Sequence, residues 1–276
     1  MGVHERKMMI RMERKEHMKL PRSVYIVMAA VAISLFASAC DDFCGFRSYE
    51  ERGTWQDFYG IFTVVEPANL ELYRELLPAE MDMPDRPAVG VFIVDYVTVV
   101  PCPMKPYLEG ALGIRCEYNG EVGWHTVTMP LDDVVAREGG RSIGFPKYLA
   151  ELTLGQNGES WEGVVTHEGV VRMSLEFTPG LTRPLEPFEE EILAGGLPRL
   201  ETTIFQVVPP GEGPDLYRIT LEDKVPANWL SVQGMVEIYI SPDDPWAGLI
   251  DPGALPPAGM FQMFTGGKIM VPEKVN

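Results

Sequence analysis

Phe145-Pro146-Lys147, a lysine directly behind an aromatic residue and a proline, is the pattern in this sequence with the most chemistry in reach. A lysine amine attacks a carbonyl carbon only after losing its proton, and an ordinary lysine, with a pKa of about 10.4, is neutral in less than about 0.1% of molecules at pH 7. Burial among apolar groups disfavours the charged form and so favours the reactive one. Phe145, Pro146 and Leu149 could supply such surroundings. Upstream, Tyr107-Leu108-Glu109-Gly110 offers a carboxylate, Glu109, that could carry protons if the fold brings it to the amine. Both residues have a plainer reading as well: Lys147 as a solvated lysine on a turn, and Glu109 as a solvated loop carboxylate.

Little else competes for the chemistry. No glycine loop leads from a strand into a helix, and neither a Gly-x-Ser-x-Gly elbow nor a paired-histidine motif occurs, so the sequence predicts no nucleotide chemistry, no metal and no other cofactor. His125 and His167 are isolated in strand contexts and read as structural or surface histidines. The cysteines at 40, 44, 102 and 116 match no zinc or haem spacing. Cys102 and Cys116 are open either to a disulfide, in an oxidising compartment, or to buried free thiols.

These residues must be positioned by elements that are mostly strands. Strand-like runs cover Tyr59–Val65, Val89–Val100, Gly110–Tyr118, Val122–Met129, Tyr148–Leu154, Ser160–Thr166 and Val170–Thr178, with later ones at Thr202–Val208, Tyr217–Leu221, Val232–Ile240 and Lys268–Val271. Asn119-Gly120, Asn157-Gly158 and Glu168-Gly169 fall between such runs as hairpin turns. Leu70, Tyr73 and Leu77 recur at helical spacing before Pro78, and a brief helix over Val134–Glu138 is expected, capped by Asp132 and ended by Gly139-Gly140. Short strands, tight turns and no βαβ alternation predict an α+β domain, mostly antiparallel β.

Before the domain, residues 1–39 join a basic stretch from Arg6 to Arg22 to an uncharged run from Ser23 to Ala39, and they read as an export signal. Met18 is a candidate true start. Leu35-Phe36-Ala37-Ser38-Ala39-Cys40 resembles a bacterial lipobox, which implies that Cys40 is lipidated, that 40–56 is a tether and that the protein is exported and anchored to a membrane on the periplasmic or outer side. A plain cleavable signal and an uncleaved anchor helix are the alternatives. Seven of the 23 Lys+Arg and three of the 40 Asp+Glu lie in residues 1–39, which leaves a net charge of −21 on residues 40–276. Such an acidic surface repels phosphate backbones and anionic headgroups, so nucleic acid is excluded as a partner and membrane attachment falls to the lipid or the apolar segment.

The run Gly140-Arg141-Ser142-Ile143-Gly144-Phe145-Pro146-Lys147-Tyr148-Leu149-Ala150-Glu151 resembles the active-site segment of the acetoacetate decarboxylase family, where a Gly-Arg pair precedes an aromatic-Pro-Lys run. Similarity extends to Tyr73-Arg74-Glu75-Leu76-Leu77-Pro78 and to residues 234–275, so that it covers about 57–275. The resemblance implies a cone-shaped barrel with few short helices and homo-oligomeric assembly. It further implies a Schiff-base lyase acting on a small keto acid or ketone, with Lys147 forming the iminium, Glu109 as acid and base, and Tyr107, Phe145 and Tyr148 around the substrate. The family's decarboxylases carry a second lysine where this chain has Tyr148. They also carry an arginine on the first strand, associated with the substrate carboxylate, where Asp57-Phe58-Tyr59-Gly60-Ile61 has none. Those departures set aldolase-dehydratase chemistry on pyruvate-like substrates beside decarboxylation. A lipid-anchored small-molecule binding protein with the same barrel and no turnover is the reading from another class.

Overall fold

The computed structural model describes residues 54–100, 105–187, 189–190, 202–208, 215–223, 230–251, 253–254, 256–269 and 273–275. All lie in one compact unit, Phe46–Asn276. The signal, Cys40, the tether up to residue 53 and Cys102 lie outside the described residues.

The strands are β1 (Thr54–Val65), β2 (Val89–Val100), β3 (Tyr107–Tyr118), β4 (Glu121–Leu131), β5 (Lys147–Leu149), β6 (Glu151–Asn157), β7 (Ser160–His167), β8 (Val170–Pro179), β9 (Thr202–Val208), β10 (Asp215–Asp223), β11 (Leu230–Ile240), β12 (Ala258–Ile269) and β13 (Glu273–Lys274). Among the described residues, the short helices α1 (Leu70–Leu76) and α2 (Val134–Arg141) join them. Pairing runs β12-β1-β2-β3-β4-β9-β10, and β10 meets β12 again from Leu221↔Ile269 to Asp223↔Gly267, which closes a ring of seven strands. From β12 the sheet continues through β11, β8, β7 and β6. This second layer folds back over the outside of β1, β2 and β3.

Strand alternation sorts side chains between the two spaces so formed. On β2, Val89, Val91 and Ile93 join Leu112 and Ile114 of β3 and Val165, Leu175 and Phe177 of the second layer in the main core. The intervening Phe92, Val94 and Tyr96 point into the ring, among Phe58, Phe62, Tyr107, Leu131 and Met260. Burial of these apolar faces at roughly 25 cal/mol per Å² is what holds the layers together. The expected α+β, mostly antiparallel architecture is thus the observed one.

The turns follow expectation, while several other elements differ from it. Asn119 and Gly120, and Glu168 and Gly169, adopt positive φ and make the expected two-residue hairpins. The helix α2 is capped by Asp133, whose carboxylate accepts from the Ala136 N–H at 2.7 Å, while Asp132 accepts from Leu108 N–H on the neighbouring strand. Nor do Gly139 and Gly140 end that helix. Its stop is Gly144 at φ 92°, with Phe145 N–H bonded to Gly140 O and Gly144 N–H to Arg141 O, the pair of bonds of a Schellman motif. The expected Tyr148–Leu154 strand is two strands, because Lys147–Leu149 pairs in parallel with Met129–Leu131. A βαβ crossover through α2 therefore exists where none was expected. The last long strand begins at Ala258 rather than Lys268, since its Gly- and Met-rich start carries little strand signal.

Candidate active site

The Schellman turn delivers the reactive segment. By swinging the chain at Gly144, it drops Phe145 and then Lys147 into the ring, and pairing of β5 with β4 fixes Lys147 beside Met129. From β3, the alternate residues Tyr107, Glu109 and Ala111 face the same space. Lys147 Nζ lies 2.5 Å from Glu109 Oε2, with the two side chains 8% and 3% exposed. A carboxylate and an amine 38 residues apart are thus in direct, buried contact. The other carboxylate oxygen, Oε1, accepts from the hydroxyl of Tyr96 at 3.4 Å. Aromatic rings wall the amine, with the Tyr107 and Phe145 ring centroids 5.8 and 5.9 Å from Nζ.

Tyr148 goes elsewhere. As the next residue of β5 its side chain turns to the opposite face, where it meets the His167 ring at 5.0 Å. Burial raises the pKa of its hydroxyl, against the lowering effect of a hydrogen bond with Thr128. The expectation that Tyr148 lines the substrate space is therefore corrected by strand alternation. Arg141 ends α2 exposed to solvent. Of the two isolated histidines, His167 packs on Tyr148, and His125 is partly buried with Nδ1 at 3.1 Å from the Phe205 carbonyl. Burial lowers the His125 pKa. Cys116 is a free thiol in the core.

Sequence reasoning missed two residues of the site and one buried polar residue of the ring around it. Tyr96 holds Glu109, and a period-2 reading of β2 puts it on the face of Phe92 and Val94. Gly140 is the second: a Cβ added there would overlap Cδ and Cε of Lys147 and lie 3.1 Å from Nζ. The last turn of α2 is thus a glycine floor under the lysine stem. Gln206 of β9 is the third, buried to 1% exposure. No local sequence signal distinguishes it. Among the described residues no cluster of His, Cys, Asp or Glu is arranged to hold a metal ion.

The arrangement can pass a proton between Glu109 and Lys147 and present the amine to a small carbonyl compound. Comparison with known proteins agrees in fold. The acetoacetate decarboxylase family profile matches residues 49–259. An acetoacetate decarboxylase of Burkholderia vietnamiensis is 42% identical over 69 residues, a stretch that is 25% of this chain and 28% of that relative. Among solved structures, acetoacetate decarboxylase from Legionella pneumophila superposes with a TM-score of 0.57 at 20% identity, covering 80% of this chain and 87% of the other. The enduracididine biosynthesis enzyme MppR complexed with pyruvate superposes with a TM-score of 0.61 at 13% identity, covering 84% and 94%.

Proposed function

Because the chain belongs to the acetoacetate decarboxylase family, we propose that it is a Schiff-base-forming carbon–carbon lyase acting on a small keto acid or ketone, with Lys147 as nucleophile and Glu109 as proton carrier. The observation that carries this reading is the buried 2.5 Å contact between Lys147 Nζ and Glu109. When the shared proton sits on Glu109, the amine holds the lone pair that attack requires. Nζ bonds to the carbonyl carbon, Glu109 gives its proton to the carbonyl oxygen, and loss of water leaves an iminium. The iminium then draws the electrons of the adjacent carbon–carbon bond, which breaks to give an enamine. Glu109, left ionised by iminium formation, takes a proton from water and passes it to the enamine carbon as the cleaved fragment departs, and hydrolysis frees Lys147. Tyr96 holds Glu109 in place through Oε1. Tyr107 and Phe145 keep water from the reacting centre.

Both decarboxylation and aldolase-dehydratase chemistry pass through this iminium. The described inward residues of β1 include Phe58 and Phe62, and the absence of arginine from the strand speaks against decarboxylation of a β-keto acid. A binding protein without turnover has no need to bury both members of the pair in contact, so the geometry supports the enzyme. We also propose that the domain is exported and held to a membrane by a lipid on Cys40, on the strength of the basic, apolar and small-residue succession that ends there.

The test of the chemistry is borohydride trapping with acetoacetate, pyruvate and longer keto acids, read by intact mass. A reduced adduct on Lys147 is expected, lost in both Lys147→Ala and Lys147→Arg, because a guanidinium does not give up its proton. Trapping that persists in Lys147→Ala removes this residue from the mechanism.

A further inference from the structure

Among the buried described residues Lys147 is the only lysine or arginine, and its charge is already matched by Glu109. A substrate carboxylate entering the ring would add a second negative charge with no further buried cation among the described residues to meet it, and a buried unpaired charge is among the most unfavourable things a protein interior can hold. The ring does contain an unused polar group of the other kind. Gln206 is 1% exposed, and its amide Nε2 has no hydrogen-bond partner among the described groups. By alternation along β9 it shares the face of Ile204, which packs with Met129, Phe145 and Ile219 inside the ring. Gln206 lies two residues beyond Ile204, whose bridge partner Trp124 belongs to β4, the same strand that pairs Met129 with Lys147. A buried donor left without an acceptor destabilises the empty site, and an acceptor arriving with a ligand removes that cost.

Resting on the Schiff-base reading above, we propose that the substrate is an uncharged carbonyl compound bearing a second neutral oxygen acceptor, such as an amide, ester, ketone or hydroxyl oxygen, and that Gln206 Nε2 donates to that oxygen while Lys147 takes the reacting carbonyl. Gln206 is thereby a specificity-determining residue, selecting against carboxylates of the same shape.

The test compares borohydride trapping of acetoacetamide and acetoacetate, which differ in charge but hardly in size, counting any acetone-derived adduct with the acetoacetate total. Wild type should trap acetoacetamide at least about tenfold faster at equal concentration. Gln206→Leu and Gln206→Met should lower acetoacetamide trapping about tenfold without lowering the thermal midpoint, because Nε2 has no partner among the described groups. A purely structural glutamine would instead show a lowered midpoint with undiminished trapping. Equal or faster trapping of acetoacetate by wild type overturns the proposal and leaves the Schiff base standing, as does undiminished acetoacetamide trapping in both variants. No adduct from either probe overturns the Schiff-base reading and this inference with it.

Discussion

Gly140→Ala isolates the contribution of the glycine floor. The residue lies in a helix with ordinary helical φ, so alanine meets no backbone strain and gains about 1 kcal/mol of helix propensity. Its Cβ, however, would overlap Cδ and Cε of Lys147 and stand 3.1 Å from Nζ. Carbon atoms settle at roughly 3.5–4 Å, so the lysine stem, being the flexible partner, must retreat by about 1 Å. Displacement of a reacting group by that much costs about 10²-fold in rate. Trapping of a keto substrate should therefore fall about a hundredfold while thermal stability holds. Gly139→Ala is the control, because nothing lies within 4 Å of its added Cβ. It should keep full trapping and raise the melting temperature by about 2–4 °C, as about 1 kcal/mol does for a domain of this size. The assay is single-turnover borohydride trapping by intact mass, with calorimetry alongside. Wild-type trapping in Gly140→Ala would refute the claim that the last turn of α2 positions the amine.

Three further outcomes follow from other parts of the chain. Burial pushes the Cys116 thiol from 9.0 up to about 12, so peptide mapping at pH 8 should find it unmodified by iodoacetamide in the native protein and fully alkylated in denaturant. His125 has its pKa lowered by burial. Well above pH 6.5 it is neutral in both the folded and the unfolded chain; below that, the unfolded chain takes the proton first, and stability falls with pH. The drop in denaturant midpoint from pH 7 to pH 5 should shrink in His125→Gln, and an unchanged drop would exclude His125 as its source. Cys40→Ser should block processing or release the domain from membranes, whereas a mature N-terminus at any other residue, found by mass spectrometry, defeats the lipid-anchor proposal.

The parts of the fold legible in sequence are those whose signal is local. Val89–Val100 is rich in β-branched and aromatic residues, and it is a strand over that same span. Asn119-Gly120 carries its own turn chemistry, so the β3–β4 hairpin follows. What failed depended on distant partners. Asp132 and Asp133 are equal as caps on paper, and the choice falls to Asp133 because Asp132 is taken by Leu108 N–H of β3. Lys147–Leu149 reads as the start of the next strand until β4 is there to pair with it. In the site, Lys147 and Glu109 were found through family resemblance, and spacing alone left each of them a plain surface reading. Gly140 and Tyr96 have roles only in the closed ring, where a helix turn and a neighbouring strand converge on the pair.

Ring closure also dictates an order of events for the newborn chain. β1, near the start of the domain, is flanked by β2 and by β12, and its register with β12 runs from Thr54↔Lys268 to Thr63↔Gly259. The hairpins β3–β4, β6–β7 and β7–β8 can zip as soon as they emerge from the ribosome, but one edge of β1 has to wait for nearly the whole polypeptide. Until Ala258–Ile269 arrives, Ile61 and its neighbours offer an unpaired apolar edge to any other strand within reach. A polypeptide truncated before residue 258 would retain most of its hairpins yet lack the one segment that shields them, and it belongs with chaperone clients and inclusion bodies rather than with folded enzymes.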